Sequence, residues 1–558
     1  MARDPEQGGA YVFDLVDDGA ADPAGPLVPQ VAAAGDDPDG DDPEAEGAAP
    51  GEPPAGPGRS LRGAASVAAV LAIVLGTGLG MDGVRDAART ERMREVHGGV
   101  VDVSAPLTET WAWEGDVGPR RAVEEGLGVE VAVLGDVLAF ESGGELVALS
   151  AATGAEAWAV PLGTDPDCGP TGSVGWGQVT TSALVCLAGP DADRAVTVVG
   201  PDGAVSAPRV LSAADTRRFG EPRPGPDGTV VRAERTGRAP TSGRGDGRCT
   251  ELGECTGTVR AGQDLTVRAE DAVTGEERWR VTIPFRPTPA DQCANWYGTS
   301  WDGSGTAVDL NDMLDPGGFG ARISDRLVQL YGCGIEAVIT SDGVMLGTEI
   351  EPGTGSVESL RNGGYTSYTF GEEVRTVLYD SAGTAVGEID GYATEAGAVD
   401  GSEPDLLLGV GEPGARAAAY GADGTRRWDA GVTTDAQGFL AQVAGTAVIL
   451  TGGGTVRGLD LASGEERWAW KDTAPGEHGA ELYVARGFTD GQYVLLVVEN
   501  GYGSAGLVSL DAVSGEVAWE QYGEEAVLDG AGQIGGSGLL AIDGNLLEVM
   551  PDGVRGLG

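Results

Sequence analysis

The sequence predicts an all-β protein, a β-propeller of four-stranded blades, preceded by an acidic tail and one membrane span. Three observations lead there. A turn-and-tryptophan segment returns along the chain, as Asp460-Leu-Ala-Ser-Gly464-Glu-Glu-Arg-Trp468 shows in full. Several successive turn glycines (383, 424 and 464) stand about forty residues apart, the period of a four-stranded blade. Short apolar runs bounded by turn residues fill a chain holding 95 glycines among 558 residues, as an array of short strands requires.

Each position of the repeat has a physical reason. Asp and Ser/Thr bond nearby backbone amides and hold a turn. Glycine accepts the positive φ that tight connections demand. The tryptophan four residues on carries a ring too large for one hairpin to bury, so copies must stack on one another. Further copies are Asp271–Trp279, Asp511–Trp519 and Ser150–Trp158, with a shortened relative at Gly421–Trp428. Weaker turns without the tryptophan occur at Gly203, Gly343, Gly383 and Gly553.

The Asp-x-x-Thr/Ser-Gly-Glu-x-x-Trp segments resemble the repeat of the quinoprotein-type (PQQ-like) β-propellers, in full form at four places and in degenerate form over most of residues 105–558. The resemblance implies that rings dock between neighbouring blades. Trp111, Trp158, Trp279, Trp428, Trp468 and Trp519 are the expected wedges, with turn glycines Gly154, Gly275, Gly424, Gly464 and Gly515. Eight blades is the family's usual number and seven is possible. Nine candidate turns (154, 203, 275, 343, 383, 424, 464, 515 and 553) therefore include one expected to be false, 343 or 383. No turn motif precedes Leu107–Glu114, and little chain follows Gly553, so the Trp111 strand is expected to complete the last blade and close the ring.

The formal charge of −51 argues against nucleic acid or anionic lipid as a partner, because phosphate would be repelled. All six cysteines fall inside the repeat region, which points to disulfides and an oxidising compartment. Sequence proximity favours Cys168–Cys186, Cys249–Cys255 and Cys293–Cys333, although other pairings remain open.

Residues 1–58 are Ala-, Gly-, Pro- and acid-rich, a composition that cannot offset its ordering entropy and is expected to be disordered. Within them, residues 11–18 (YVFDLVDD) mix apolar and acidic side chains, either a short motif for a cytoplasmic partner or a chance apolar island. Residues 63–81 contain no charge; at about 1.5 Å per residue they just cross a bilayer core of about 30 Å. Residues 82–104 follow as a stalk. Counting arginines around the span would leave the propeller in the cytoplasm, whereas the cysteines favour export. The expectation is a cytoplasmic N-terminus and an extracytoplasmic propeller at the cell membrane.

Candidate chemistry is sparse. The alcohol-oxidising relatives implied by the resemblance carry adjacent cysteines and a Glu/Asn/Asp calcium set, and no Cys-Cys pair exists here. The two histidines, His97 and His478, form no cluster for a metal or a triad. Asp302, Ser304, Thr306 and Asp309 alternate like the start of a calcium loop but lack its central glycine and closing glutamate; the plainer reading is a solvated loop. No cofactor is expected. The sequence is therefore read as an anchored, non-enzymatic scaffold that binds a protein or envelope ligand through rim loops, chiefly the insertions at 204–270 and 281–330. A ligand sensor signalling through the stalk is the alternative, and a quinone- or calcium-dependent oxidoreductase a third reading.

Overall fold

The computed structural model describes residues 86–118, 129–174, 178–190, 194–238, 245–250, 254–297, 314, 317–347, 355–369, 374–410, 416–430, 436–471, 482–500, 505–522 and 538–558. Contacts divide the chain into Met1–Ile73 and Val74–Gly558. The acidic tail, residues 11–18 and the 63–81 span lie outside the described residues. Among the described residues, no helix is long and apolar enough to cross a membrane.

Val74–Gly558 forms a β-propeller of nine blades. In chain order these are blades 1 (130–161), 2 (167–210), 3 (222–283), 4 (320–346), 5 (355–390), 6 (392–429), 7 (436–471) and 8 (482–522). Blade 9 is built from Gly538–Ile542, Asn545–Met550, Gly553–Leu557 and, from the other end of the repeat region, Glu109–Glu114. The four strands of each blade are antiparallel, and blades 1 and 7 each add a short fifth strand, which in blade 7 runs parallel to its neighbour. Nine apolar clusters join successive blades. They begin with Val133 and Val549 between blades 9 and 1 and end with Leu495 and Leu546 between blades 8 and 9.

The expectation of eight or seven blades is thereby corrected to nine, and the turns at Gly343 and Gly383 are both genuine. They looked weak because glycines, Gly347 and Gly387, occupy the place of the tryptophan. Gly553 is a different kind of turn, joining the second and third strands of blade 9. The turn between that blade's third and fourth strands is missing, because the chain's end and residue 108 meet there. Thr108 and Gly558 exchange two backbone hydrogen bonds of 2.9 and 3.0 Å across the gap.

Strand burial follows position in the blade. Second strands such as Val137–Ser142 pack on both faces, with burial almost continuous from Val137 to Phe140. Outer strands such as Glu156–Pro161 are mostly exposed. The aspartate turns are held as their composition requires. The Asp460 carboxylate accepts from Ala462 and Ser463 N–H at 3.0 and 2.8 Å, and Gly464, at φ +74°, donates back to the Asp460 carbonyl. The same bond from Thr274 N–H, aided by Arg278, holds the Asp271 carboxyl down at about 2.

The wedges lie on these turns. Trp468 is sandwiched between a glycine of its own blade and the turn of the next. A Cβ on Gly458 would come within 2.1 Å of its ring, and one on Gly515 within 2.5 Å. Its Nε1 donates to the Ala512 carbonyl at 3.0 Å. Trp428 donates to Leu461 at 2.7 Å, Trp279 to Ser341 at 2.7 Å and Trp158 to Pro201 at 2.9 Å. Trp111 covers Gly154.

Residues 86–104, the described part of the expected stalk (82–104), are instead laid on the propeller and continue to residue 107 as a strap. Two faces can be defined by the strand ends. The lower carries the turns between first and second and between third and fourth strands, and the upper carries the remaining connections. Helix α1 (86–95) and the chain after it cross lower-face turns of blades 7 to 9. Met93 is fully buried, and Arg89 donates to Gln492 at 3.0 Å. The His97 carbonyl accepts from Val399, Val100 N–H donates to Thr489, and Val101 N–H to Gly544. The Val103 carbonyl then accepts from both Ser509 Oγ and Trp519 Nε1 at 2.8 Å, the place that a turn carbonyl fills elsewhere.

Trp468→Ala removes a buried ring and leaves a cavity, and is expected to cost about 3 to 5 kcal/mol in a denaturant melt. Deleting residues 1–114 removes both strap and closing strand. It is expected to abolish the cooperative transition, and a well-dispersed amide spectrum from that variant would count against closure through the strap.

Candidate functional site: a disulfide-tied lobe on the upper rim

The two long insertions converge on the upper face of blades 3 and 4. One leaves blade 3 between its second and third strands, Thr229–Thr236 and Asp264–Asp271. The other joins its outer strand, Glu277–Ile283, to blade 4. Neither can pair into the ring, so they pair with each other. Arg248–Cys249 forms a small hairpin with Cys255–Thr256, Thr258–Val259 pairs with Thr288–Pro289, and helix α2 (Ala290–Tyr297) follows. Cys249, Val259, Ala290, Cys293, Leu314 and Cys333 make a separate core, with Phe285 packed against it.

Covalent ties replace the area that so small a core lacks. Cys249 is bonded to Cys255 across the hairpin, and Cys293 to Cys333 in the turn between the second and third strands of blade 4. The third disulfide, Cys168–Cys186, joins two neighbouring strands inside blade 2. At the foot of the lobe lies a cleft of about 50 Å³, lined by Ile283, Arg286, Glu336, Met345 and Val357 among others.

Below the lobe, a single carboxylate gathers three guanidiniums. Glu270 lies 3.1 Å from Arg209, 3.5 Å from Arg232 and 2.8 Å from Arg268. Arg232 is 1 % exposed and also donates to the Gly220 carbonyl at 3.0 Å; burial pulls its guanidinium below its ordinary range. Arg268 also stacks over Phe219 at 4.1 Å. Arg209 performs the wedge's task between blades 2 and 3. It lies over Gly275 and donates Nε–H to the Ala272 carbonyl at 2.8 Å, the carbonyl equivalent to that of Ala512 under Trp468. Nothing in the residue pattern marks this substitution, since Arg209 stands six residues after Gly203 where the tryptophans stand four after their turn glycines.

A second polar group sits on the upper face of blades 1 and 2. The Glu141 carboxylate accepts from Cys168 N–H at 3.0 Å. Burial, with Asp167 and Glu130 nearby, pushes its carboxyl up to about 7. Asp167 is raised as well, chiefly by burial, against the pull of Arg194 and Arg223. The residues 302, 304, 306 and 309 considered for calcium lie outside the described residues. Among the described residues, no group of His, Cys, Asp or Glu is arranged to hold a metal.

A carboxyl raised on folding contributes stability that is complete below its ordinary value of 4.5 and is lost as pH rises through about 7. The melting temperature is therefore expected to fall between these limits in the native protein and to stay flatter in Glu141→Gln. Parallel curves for the two proteins would contradict the assignment.

Residues 379–553, from the end of blade 5's third strand into blade 9, match the family model described as outer membrane protein assembly factor BamB. Among solved structures, BamB from Moraxella catarrhalis aligns at 13 % identity over 81 % of this chain and 99 % of that one, with a TM-score of 0.31. The computationally designed Ika8 protein aligns at 10 % identity over 80 % and 98 %, with a TM-score of 0.35. Superpositions this loose carry no argument here. No curated protein matches the chain. The family match covers under a third of the chain, residues 379–553, and falls on the part of the β-propeller that carries the wedges Trp428, Trp468 and Trp519.

Proposed function

We propose that this protein is a single-pass membrane protein whose extracytoplasmic propeller is a non-enzymatic scaffold, binding another protein through the lobe-bearing upper face. The lobe carries this reading. It lies outside the ring, which it meets through Phe285 and Phe319 at the cluster between blades 3 and 4, and has its own core and two covalent ties. An appendage that the ring does not need for closure, held rigid at a rim, suits presentation of a surface. The matching family model is described as an outer membrane protein assembly factor, which supports a protein-binding reading.

Export is supported by the cysteines, every one of which is in a disulfide. Anchoring is supported by the uncharged run 63–81. The strap lies on the lower face, and the lobe stands on the upper one. Protease added to intact cells is expected to degrade the propeller epitope while sparing residues 1–58; full protection of the propeller would reverse the topology. Photocrosslinkers placed along the upper rim are expected to capture a protein partner, and silence at every rim position would remove the scaffold reading.

A further inference from the structure

His97 stands where helix α1 gives way to the rest of the strap, and the backbone there is held on two sides. The His97 carbonyl accepts from Val399 N–H at 3.1 Å, and the Gly98 carbonyl accepts from Thr489 N–H at 2.9 Å. Gly98 lies so close to its neighbour that a Cβ would stand 2.7 Å from Ala398 Cβ. The strap is thus threaded between segment 396–399, which follows the first strand of blade 6, and the end of the first strand of blade 8, Leu482–Thr489.

Both neighbours bring a cation. Arg361, in the turn between the first and second strands of blade 5, donates to the Ala396 carbonyl. Arg486, three residues before Thr489, donates to the carbonyls of Leu539 at 3.1 Å and Val174 at 2.7 Å. The surrounding acids are already engaged. Glu395 accepts from Arg361 N–H at 3.0 Å and lies 3.7 Å from its guanidinium. Asp400 accepts from Ser402 and Ala444 N–H at 2.9 and 2.8 Å, and Asp490 from Gln492 and Tyr493 N–H at 2.8 and 2.7 Å. Glu403 pairs with Arg427 at 2.9 Å, and Glu499 acts on Arg486. On the strap itself, Glu91, Arg92, Arg94 and Glu95 are exposed. The His97 imidazole makes no hydrogen bond among the described residues and keeps part of its surface open to water.

We propose that the strap is an acid-released latch: a proton taken up at His97 loosens residues 86–103 from the lower face, while Glu109–Glu114 stays paired with Gly553–Leu557 and keeps the ring closed. A protonated imidazole there is a third cation beside two guanidiniums whose nearby carboxylates are engaged elsewhere. Burial, and then the charges of Arg361 and Arg486, hold the imidazole down at about 3 against an ordinary 6.5. A histidine lowered on folding contributes stability that is complete above 6.5 and is lost as pH falls through about 3. The bonds next in line are those of Val100 to Thr489 and Val101 to Gly544, both 2.8 Å. Release uncovers the lower-face turns of blades 7 to 9, a surface covered at neutral pH.

The test is hydrogen–deuterium exchange of the full-length protein in detergent, read by mass spectrometry at about pH 7 and about pH 4 and corrected for intrinsic rates. Protection of amides 98–103 is expected to fall about tenfold or more on acidification. Water on the open side of the imidazole keeps the effect below that of a wholly enclosed histidine. Amides of Gly553–Leu557 are expected to keep their protection. His97→Gln, neutral at both pH values, is expected to hold the strap equally at both. His97→Lys, charged at both, is expected to leave it loose even at neutral pH. Circular dichroism melts check folding, and His97→Asn serves as a second neutral variant. Equal loosening in the native protein and the neutral variants would put the acid effect on Asp400 or Asp490 and overturn the proposal. So would a native strap fully protected in acid, or a Lys variant as protected as the native protein. Loss of protection in Gly553–Leu557 together with the strap would also overturn it, since the ring and not a latch would then be opening.

Discussion

The ring depends on one contact repeated between blades: a flat side chain laid over the turn glycine of the next blade, with its N–H given to that turn's carbonyl. Glycine is required because a Cβ there would stand 2.5 Å from the Trp468 or Trp428 ring, and because the turn holds φ near +74°. The N–H satisfies a carbonyl that the tight turn would otherwise leave without a partner. Apolar burial, orientation and hydrogen bonding thus meet in one residue, which fixes the angle between successive sheets.

That contact tolerates chemical change as long as its geometry survives. Arg209 replaces the indole with a planar guanidinium and keeps the bond to Ala272. The exchange brings a charge into a partly buried interface, and Glu270 answers it, along with Arg232 and Arg268. Between blades 4 and 5 Val344 and Leu346 fill the space over Gly383. Between blades 5 and 6 Gly387 lets backbone approach backbone, so close that a Cβ would lie 2.2 Å from the Asp423 carbonyl. The regular wedges and the substituted ones divide the chain. The family match, residues 379–553, covers the three consecutive regular wedges from Trp428 to Trp519.

Closure places a constraint on the N-terminal side. Blade 9 has no covalent turn before its outer strand, so the Val103 carbonyl receives Trp519 and the strap packs beneath it. The lobe lies on the opposite face and is held by disulfides rather than by the ring.

The Asp-x-x-Ser/Thr-Gly and tryptophan pattern was enough to establish the propeller and the strand-turn-strand unit, because each is a local consequence of residue type, and the pairing of Glu109–Glu114 with Gly553–Leu557 followed from the strand that the last blade lacked. The blade number was not legible, since a blade whose wedge is valine or backbone leaves no aromatic mark at Gly343 or Gly383. The site was legible only as two long gaps between turns. That both gaps fold into one lobe, that Arg209 stands in for tryptophan, and that residues 86–107 lie on the ring were decided by tertiary structure. Each depends on which distant backbone carbonyl or carboxylate comes within hydrogen-bonding reach, and periodicity along the chain holds no record of that.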